Sequence, residues 1–137
     1  MKVYVLDACA LMAVLYGEKG ASVVKSAFDE MDNGTAKIIM HKANLLEVYY
    51  DLLRSLGKEK ANIIISEIKK RPLEIHAEIT DEIFAQAGRL KSSYKISFAD
   101  SFALAQAIIS GGSLLTSDHH EFDVIEGKED INFAWVR

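Results

Sequence analysis

The stretch KVYVLDACALMAVLYG, residues 2–17, indicates the fold class of this chain. Lys2–Leu6 is short and rich in valine, which is typical of a buried strand, and it is bounded by Asp7. Residues 8–16 are apolar over a helical length and stop before Gly17. This stretch therefore predicts a buried strand that leads directly into a helix.

The same alternation of short apolar runs and longer helical patterns continues through the rest of the chain. Because the connections are long enough for crossovers, it predicts a mainly parallel sheet covered by helices on both faces. We expect a single α/β domain over residues 1–137, with three α/β/α layers and four or five strands whose order the local pattern does not reveal. The predicted strands are 2–6, 37–40, 73–76, 113–116 and 132–136, and the predicted helices are 8–16, 20–31, 43–56, 58–70, 81–92 and 98–110, the last of them buried.

The composition is that of a globular domain, because half of the 137 residues are apolar and 26% are charged. Cys9 is the only cysteine, so no intramolecular disulfide can form and a reducing compartment is favoured. No apolar run approaches the roughly 20 residues that a membrane span needs, and Asp7 interrupts any apolar region of a signal peptide. We therefore expect a cytoplasmic protein that does not enter membranes.

The net charge of −4 leaves nucleic acid open as a substrate. Proteins that bind nucleic acid are usually basic. However, if four carboxylates gather around metal ions, the remaining surface is formally neutral. The charge balance therefore does not exclude a phosphodiester substrate.

Four acidic residues fall where an α/β sheet places its active crevice, beyond the carboxyl ends of the strands. Asp7 and Asp118 follow predicted strands, while Glu47 and Asp100 lie on helices that can cover the same edge. Carboxylate oxygens are the ligands that Mg²⁺ or Mn²⁺ prefers. Like charges in one crevice repel each other, and a bound divalent cation offsets that repulsion. These four residues are therefore candidate metal ligands.

Each acid also has a purely structural interpretation. Asp7 and Asp118 are in positions to cap the helical segments that follow them. Glu47 lies roughly opposite the apolar face of its predicted helix, so helical geometry alone assigns it to the solvated surface. Asp100 shares a face with apolar residues, which is a poor place for an unpaired charge, although a capping box with Ser97 would explain it. Asp100 is therefore the strongest single candidate.

The remaining chemistry-bearing residues carry weaker signals. His41, His119 and His120 show no Cys/His spacing of a zinc site, and their default interpretation is surface or capping residues. Cys9 lies in an apolar segment, which favours a buried structural thiol over a nucleophile. Neither a Walker A motif nor GxGxxG occurs, so nucleotide-cradling functions lose their main support.

Four segments in series resemble the acidic motifs of PIN-domain ribonucleases, and most of all the virulence-associated protein C (VapC) toxins of toxin–antitoxin pairs. The segments are VLDACAL at 5–11, NLLEV at 44–48, SFADSFALA at 97–105 and LTSDHHEF at 115–122. The resemblance covers nearly the whole chain, in the right order. It implies that Asp7, Glu47, Asp100 and Asp118 occupy the four acidic positions of the family.

The resemblance also implies a three-layer α/β/α fold, Mg²⁺ or Mn²⁺ as cofactor, and cleavage of single-stranded RNA or structured RNA loops. Family members are commonly homodimers, and many are held inactive by a small antitoxin protein. One departure is that Ala8 and Cys9 stand where the family often has a hydroxyl residue after the first Asp. Ser101 or Thr116 is a candidate to supply that hydroxyl, Ser117 to orient water, and Asp123 either to join the site or to cap the tail.

The leading functional hypothesis is metal-dependent hydrolysis of RNA phosphodiester bonds by a toxin endoribonuclease. One alternative is a housekeeping RNA-processing nuclease. Another is a non-catalytic PIN-like module for binding or dimerisation, against which the presence of all four acids argues. A phospho-acceptor domain of receiver type also gathers acids at strand ends, but its paired acids after the first strand and its late lysine are missing here.

Overall fold

The computed structural model describes residues 1–137 as five strands and seven helices. The strands are β1 (Lys2–Leu6), β2 (Ala36–His41), β3 (Glu74–His76), β4 (Ser113–Thr116) and β5 (Asn132–Trp135). The helices are α1 (Ala8–Leu15), α2 (Ala21–Asp32), α3 (Lys42–Leu56), α4 (Lys58–Lys70), α5 (Asp81–Ser93), α6 (Phe98–Ser110) and the single turn α7 (His119–Phe122). Every predicted strand and helix is confirmed, with its ends displaced by at most one residue. None of the helices is both long and apolar enough to cross a membrane.

All five strands are parallel, in the order β3-β2-β1-β4-β5. The chain builds outward from β1 through β2 to β3, and then returns to place β4 on the other side of β1. The order therefore reverses between β1 and β4, which is where open α/β sheets form their crevice. Asp7 follows the first of these strands, and Asp118 follows the second at a distance of two residues.

Helices cover both faces of the sheet, which confirms the three-layer prediction. On one face, Leu6 and Met40 belong to a core that includes residues of α1, α2, α3 and α4. On the other face, Val5 and Leu114 pack with residues of α5 and α6. Alternate residues of β1 therefore enter opposite cores, as the two-residue period of a strand requires.

Helix α6 is buried along its middle rather than throughout. Its residues 101–107 are buried, as the apolar sequence predicts. Phe98 in the first turn is instead 71% exposed, with its ring edge against Phe102 at a centroid distance of 5.2 Å. The difference arises because the first turn of α6 stands at the crevice edge, where no further layer covers it.

Gly20, before α2, is a position where we expect a large effect on stability. It has a φ of +95°, and a Cβ atom there would lie 2.6 Å from the carbonyl oxygen of Val136. We expect Gly20→Ala to lower the free energy of unfolding by roughly 2–3 kcal/mol, through strain and a backbone clash. Gly34→Ala is the matched control, because Gly34 also has positive φ but open space around it, and it should cost only about 1 kcal/mol. Equal losses in denaturant unfolding would contradict the clash.

Candidate active site

Asp7 lies at the centre of the crevice edge and is 2% exposed. Its Oδ1 accepts a hydrogen bond from the backbone N–H of Ala10 at 2.9 Å, so it caps α1 as the structural interpretation predicts. Burial raises the pKa of the Asp7 carboxyl to about 6, with a smaller contribution from the charge of Asp118. Interactions with Thr116, Ala10 and Cys9 oppose this rise in pKa. The capping carboxyl is therefore also one that releases its proton close to neutral pH.

Asp100 lies in the first turn of α6, and its backbone N–H donates to Ser97 Oγ at 3.1 Å. The predicted Ser97 cap is thus confirmed. Burial raises the pKa of the Asp100 carboxyl to about 7, and the charges of Asp118, Asp7 and Glu47 add to the rise. A cation bound next to this carboxyl would stabilise its charged form and lower its pKa.

Glu47 is half-buried, so its assignment to the solvated helix surface is wrong. Its Oε1 is buried and has no hydrogen-bond partner. Burial raises the pKa of Glu47, followed by the charges of Asp118 and Asp51. The reason lies in the tertiary packing, because Asn44 in the same helix donates from Nδ2 to the carbonyl of Ala99 at 2.9 Å. This bond joins the first turns of α3 and α6, so the part of α3 that carries Glu47 packs beside a neighbouring helix.

The negative charge of Asp118 acts on each of the other three acids. Its charge contributes to the raised pKa values of Asp7, Glu47 and Asp100. Its own Oδ1 accepts from the backbone N–H of Glu121 at 3.2 Å, which is the predicted cap of a short turn. The structure therefore places Asp118 near enough to the other three acids for its charge to raise the pKa of each.

A comparison with protein-family models finds that residues 4–128 match the PIN domain. The chain belongs to the PIN-domain family. The comparison with curated proteins found no match. The match spans the segments that hold all four acids, and the parallel sheet with helices on both faces is the fold that the sequence resemblance implies.

Solved structures similar to this PIN domain include VapBC complexes and a VapC toxin. The DNA-bound VapBC of Salmonella typhimurium has a TM-score of 0.75 at 16% identity and covers 100% of each chain. VapBC-1 of nontypeable Haemophilus influenzae has a TM-score of 0.72 at 15% identity, covering 98% of each chain. The Sarcin-Ricin loop cleaving toxin VapC20 of Mycobacterium tuberculosis has a TM-score of 0.62 at 15% identity, covering 82% of this chain and 87% of that one. At these identities the likeness establishes the fold.

The acids of this PIN domain fit a divalent cation by donor type rather than by a ready-made ligand shell. No three His, Cys, Asp or Glu groups are grouped closely enough to hold a metal ion. The charge of Asp118 nevertheless raises the pKa of Asp7, Glu47 and Asp100, and Glu47 holds an unpartnered oxygen. Such an all-oxygen, negatively charged set has the donors that hard divalent cations prefer, and it lacks the cysteine and histidine ligands of typical structural zinc sites. A small approach of the carboxylates toward a cation would relieve their repulsion.

Two residues were candidates to supply the hydroxyl that is missing after Asp7. Thr116 lies beside the acids, and the hydroxyl of Ser101 does not contact them. Thr116 lowers the pKa of Asp7, and its Oγ1 accepts from the backbone N–H of Asp118 at 3.1 Å. Ser101 Oγ instead donates to the carbonyl of Phe98 at 2.6 Å. Asp123 pairs with His119 at 2.8 Å and is 59% exposed, which sets it apart from the four acids.

Two site features were missed by the sequence analysis. Asn44 is 1% exposed, joins α3 to α6, and has an Oδ1 without a partner, yet it attracted no interpretation beyond its place in the motif. Cys9 is half-buried among polar groups rather than in the apolar core, and burial together with the charge of Asp7 raises its thiol pKa to about 12. His41, by contrast, caps α3 through Nδ1, as its default interpretation predicts.

Proposed function

We propose that this PIN domain is a metal-dependent endoribonuclease that hydrolyses RNA phosphodiester bonds, acting as the toxin of a toxin–antitoxin pair. The observation that carries the proposal is the electrostatic group of Asp7, Glu47, Asp100 and Asp118 at the β1/β4 crevice. Acids whose pKa values are raised by burial and by a neighbouring negative charge are costly to a fold and are typical of functional sites.

The four carboxylates would hold Mg²⁺ or Mn²⁺. When bound, such a cation supplies Lewis acidity that favours ionisation of water and stabilises negative charge on phosphoryl oxygens. Asp7 accepts bonds from Ala10 and Cys9 in a fixed orientation, which suits it to holding a cation. Glu47 has a free Oε1 and a raised pKa, which suits it to accepting a proton from the attacking water.

The partner proposals rest on the structural neighbours. Several of them are VapBC complexes, in which the toxin is bound to its antitoxin, and one is named for cleavage of the Sarcin-Ricin loop. By that analogy we propose an antitoxin protein as partner and RNA as the substrate. The homodimer is proposed from the sequence resemblance to the family alone. Co-purification of the chain with the product of a neighbouring small gene would test the antitoxin.

The activity is tested by incubating the purified chain with labelled single-stranded and stem-loop RNAs. We expect shortening of at least one RNA with Mg²⁺ or Mn²⁺, complete loss with EDTA, and recovery when metal is added in excess. The reason is that the carboxylates themselves repel a phosphodiester, and a bound cation would supply the positive charge that activates water and stabilises the phosphoryl oxygens. RNA that shifts in a gel but keeps its full length under every metal condition would instead identify a non-catalytic binding module.

A further inference from the structure

Cys9 holds a place beside the catalytic acids that its sequence context does not suggest. Its Sγ donates toward both carboxylate oxygens of Asp7, at 3.2 Å from Oδ1 and 3.3 Å from Oδ2. The same sulfur accepts from Ser117 Oγ at 3.4 Å and lies 3.5 Å from Thr116 Oγ1. The side-chain hydrogen bonds of the Cys9 thiol therefore all join it to polar groups at the crevice.

These contacts connect the two strand ends that carry the acids. Cys9 belongs to the first turn of α1, the helix that begins directly after Asp7. Thr116 and Ser117 are the two residues that precede Asp118. Because Ser117 donates to the sulfur, the single S–H proton is left to donate to Asp7. The thiol thus links the carboxylate after β1 to the hydroxyl groups of the two residues that precede the carboxylate after β4.

We infer that Cys9 is a positioning residue of the acidic centre, which holds the Asp7 carboxylate in orientation and sets its spacing from Asp118 for binding a divalent cation. The inference rests on the proposed function. Groups that orient a metal-binding carboxylate commonly contribute about 10- to 100-fold to metal affinity. A thiol is a weak donor, so we expect a contribution near the lower end, about tenfold.

The test is calorimetric titration of metal-stripped protein with Mn²⁺, for the wild type, Cys9→Ala, Cys9→Ser and Ser101→Ala. Ser101→Ala is the matched control, because Ser101 is also a small polar residue in the first turn of a helix that carries an acid, but its buried hydroxyl bonds only to the carbonyl of Phe98. We expect Cys9→Ala to bind Mn²⁺ about tenfold more weakly, while Cys9→Ser, which keeps a donor, and Ser101→Ala stay close to wild type. Melting temperatures in EDTA show whether each variant is folded.

The possible results distinguish the role of Cys9 from the existence of the metal centre itself. Wild type that binds no Mn²⁺, with or without RNA, removes the metal centre and the role of Cys9 together. Wild type that binds Mn²⁺ with an affinity equal to that of Cys9→Ala overturns the role of Cys9 alone. Equal weakening in Cys9→Ala and Cys9→Ser, with equally lowered melting temperatures in EDTA, also overturns it, because the sulfur would then act only by packing.

Discussion

We expect Asp100→Asn to remove RNA cleavage and to leave the protein folded. The substitution keeps the shape of the side chain and the backbone bond to Ser97, but it removes a carboxylate whose pKa responds to all three other acids. Loss of a group that merely supports a metal ligand costs about 10- to 100-fold in activity or metal affinity, so loss of a ligand itself should cost at least about a hundredfold. The measurement is the initial rate of RNA shortening under saturating Mg²⁺ or Mn²⁺.

Asp123→Asn is the matched control for this substitution. Asp123 is an acid at the same end of the sheet, but it is exposed and bonded to His119. The control should therefore cleave RNA at a rate close to wild type, with an unchanged circular dichroism spectrum. Full activity in Asp100→Asn, or an equal loss in both variants, would contradict the assignment of the four acids.

The stability of the metal-free protein should fall as the pH rises from about 4 to about 7. The folded-state pKa values of Asp7 and Asp100 are about 6 and about 7, against 3.8 for the unconstrained group. The folded state therefore holds protons that the unfolded chain has already released, and their stabilising effect is lost as the pH rises through the folded pKa values. Above that range the curve should level off.

Asp100→Asn isolates the contribution of one carboxyl to this curve, because the remaining titratable groups are present in both proteins. The rise of the Asp100 pKa from 3.8 to about 7 corresponds to a loss of roughly 2–4 kcal/mol in the free energy of unfolding once the carboxyl is ionised. At pH 8, the metal-free variant should therefore be more stable than wild type by up to this amount. Added Mn²⁺ should stabilise wild type more at pH 8 than at pH 5, because protonated carboxyls bind metal weakly. The measurement is thermal unfolding in EDTA and in Mn²⁺. A wild type that gains stability from pH 5 to pH 8 in EDTA, in parallel with the variant, would oppose this account.

The elements of the fold could be predicted from the sequence because each carries a strong local signal. β1 is valine-rich and stops at Asp7, and α6 begins at a serine cap and ends before Gly111. The strand order could not be predicted, because it depends on which side of β1 the returning strand β4 takes. That choice is made by contacts between distant parts of the chain.

The candidate site was predictable as a set of acids but not in its geometry. Helical periodicity placed Glu47 on the solvated side, since it takes no account of the bond from Asn44 that packs α3 against α6. The family resemblance instead assigned Glu47 to one of the four acidic positions, and in the structure its side chain is half-buried rather than fully solvated. Cys9 was taken as a structural thiol from its apolar neighbours along the chain, whereas its neighbours in space are Asp7, Thr116 and Ser117.

The most direct test of the central claim, that the four acids form one cation site, is Mn²⁺ titration of metal-stripped protein by calorimetry. Wild type, Asp100→Asn and Asp123→Asn are compared at pH 8, where Asp7 and Asp100 are ionised. We expect saturable binding to wild type and Asp123→Asn, and binding that is lost or sharply weakened in Asp100→Asn. Equal Mn²⁺ affinity in all three proteins would contradict the claim.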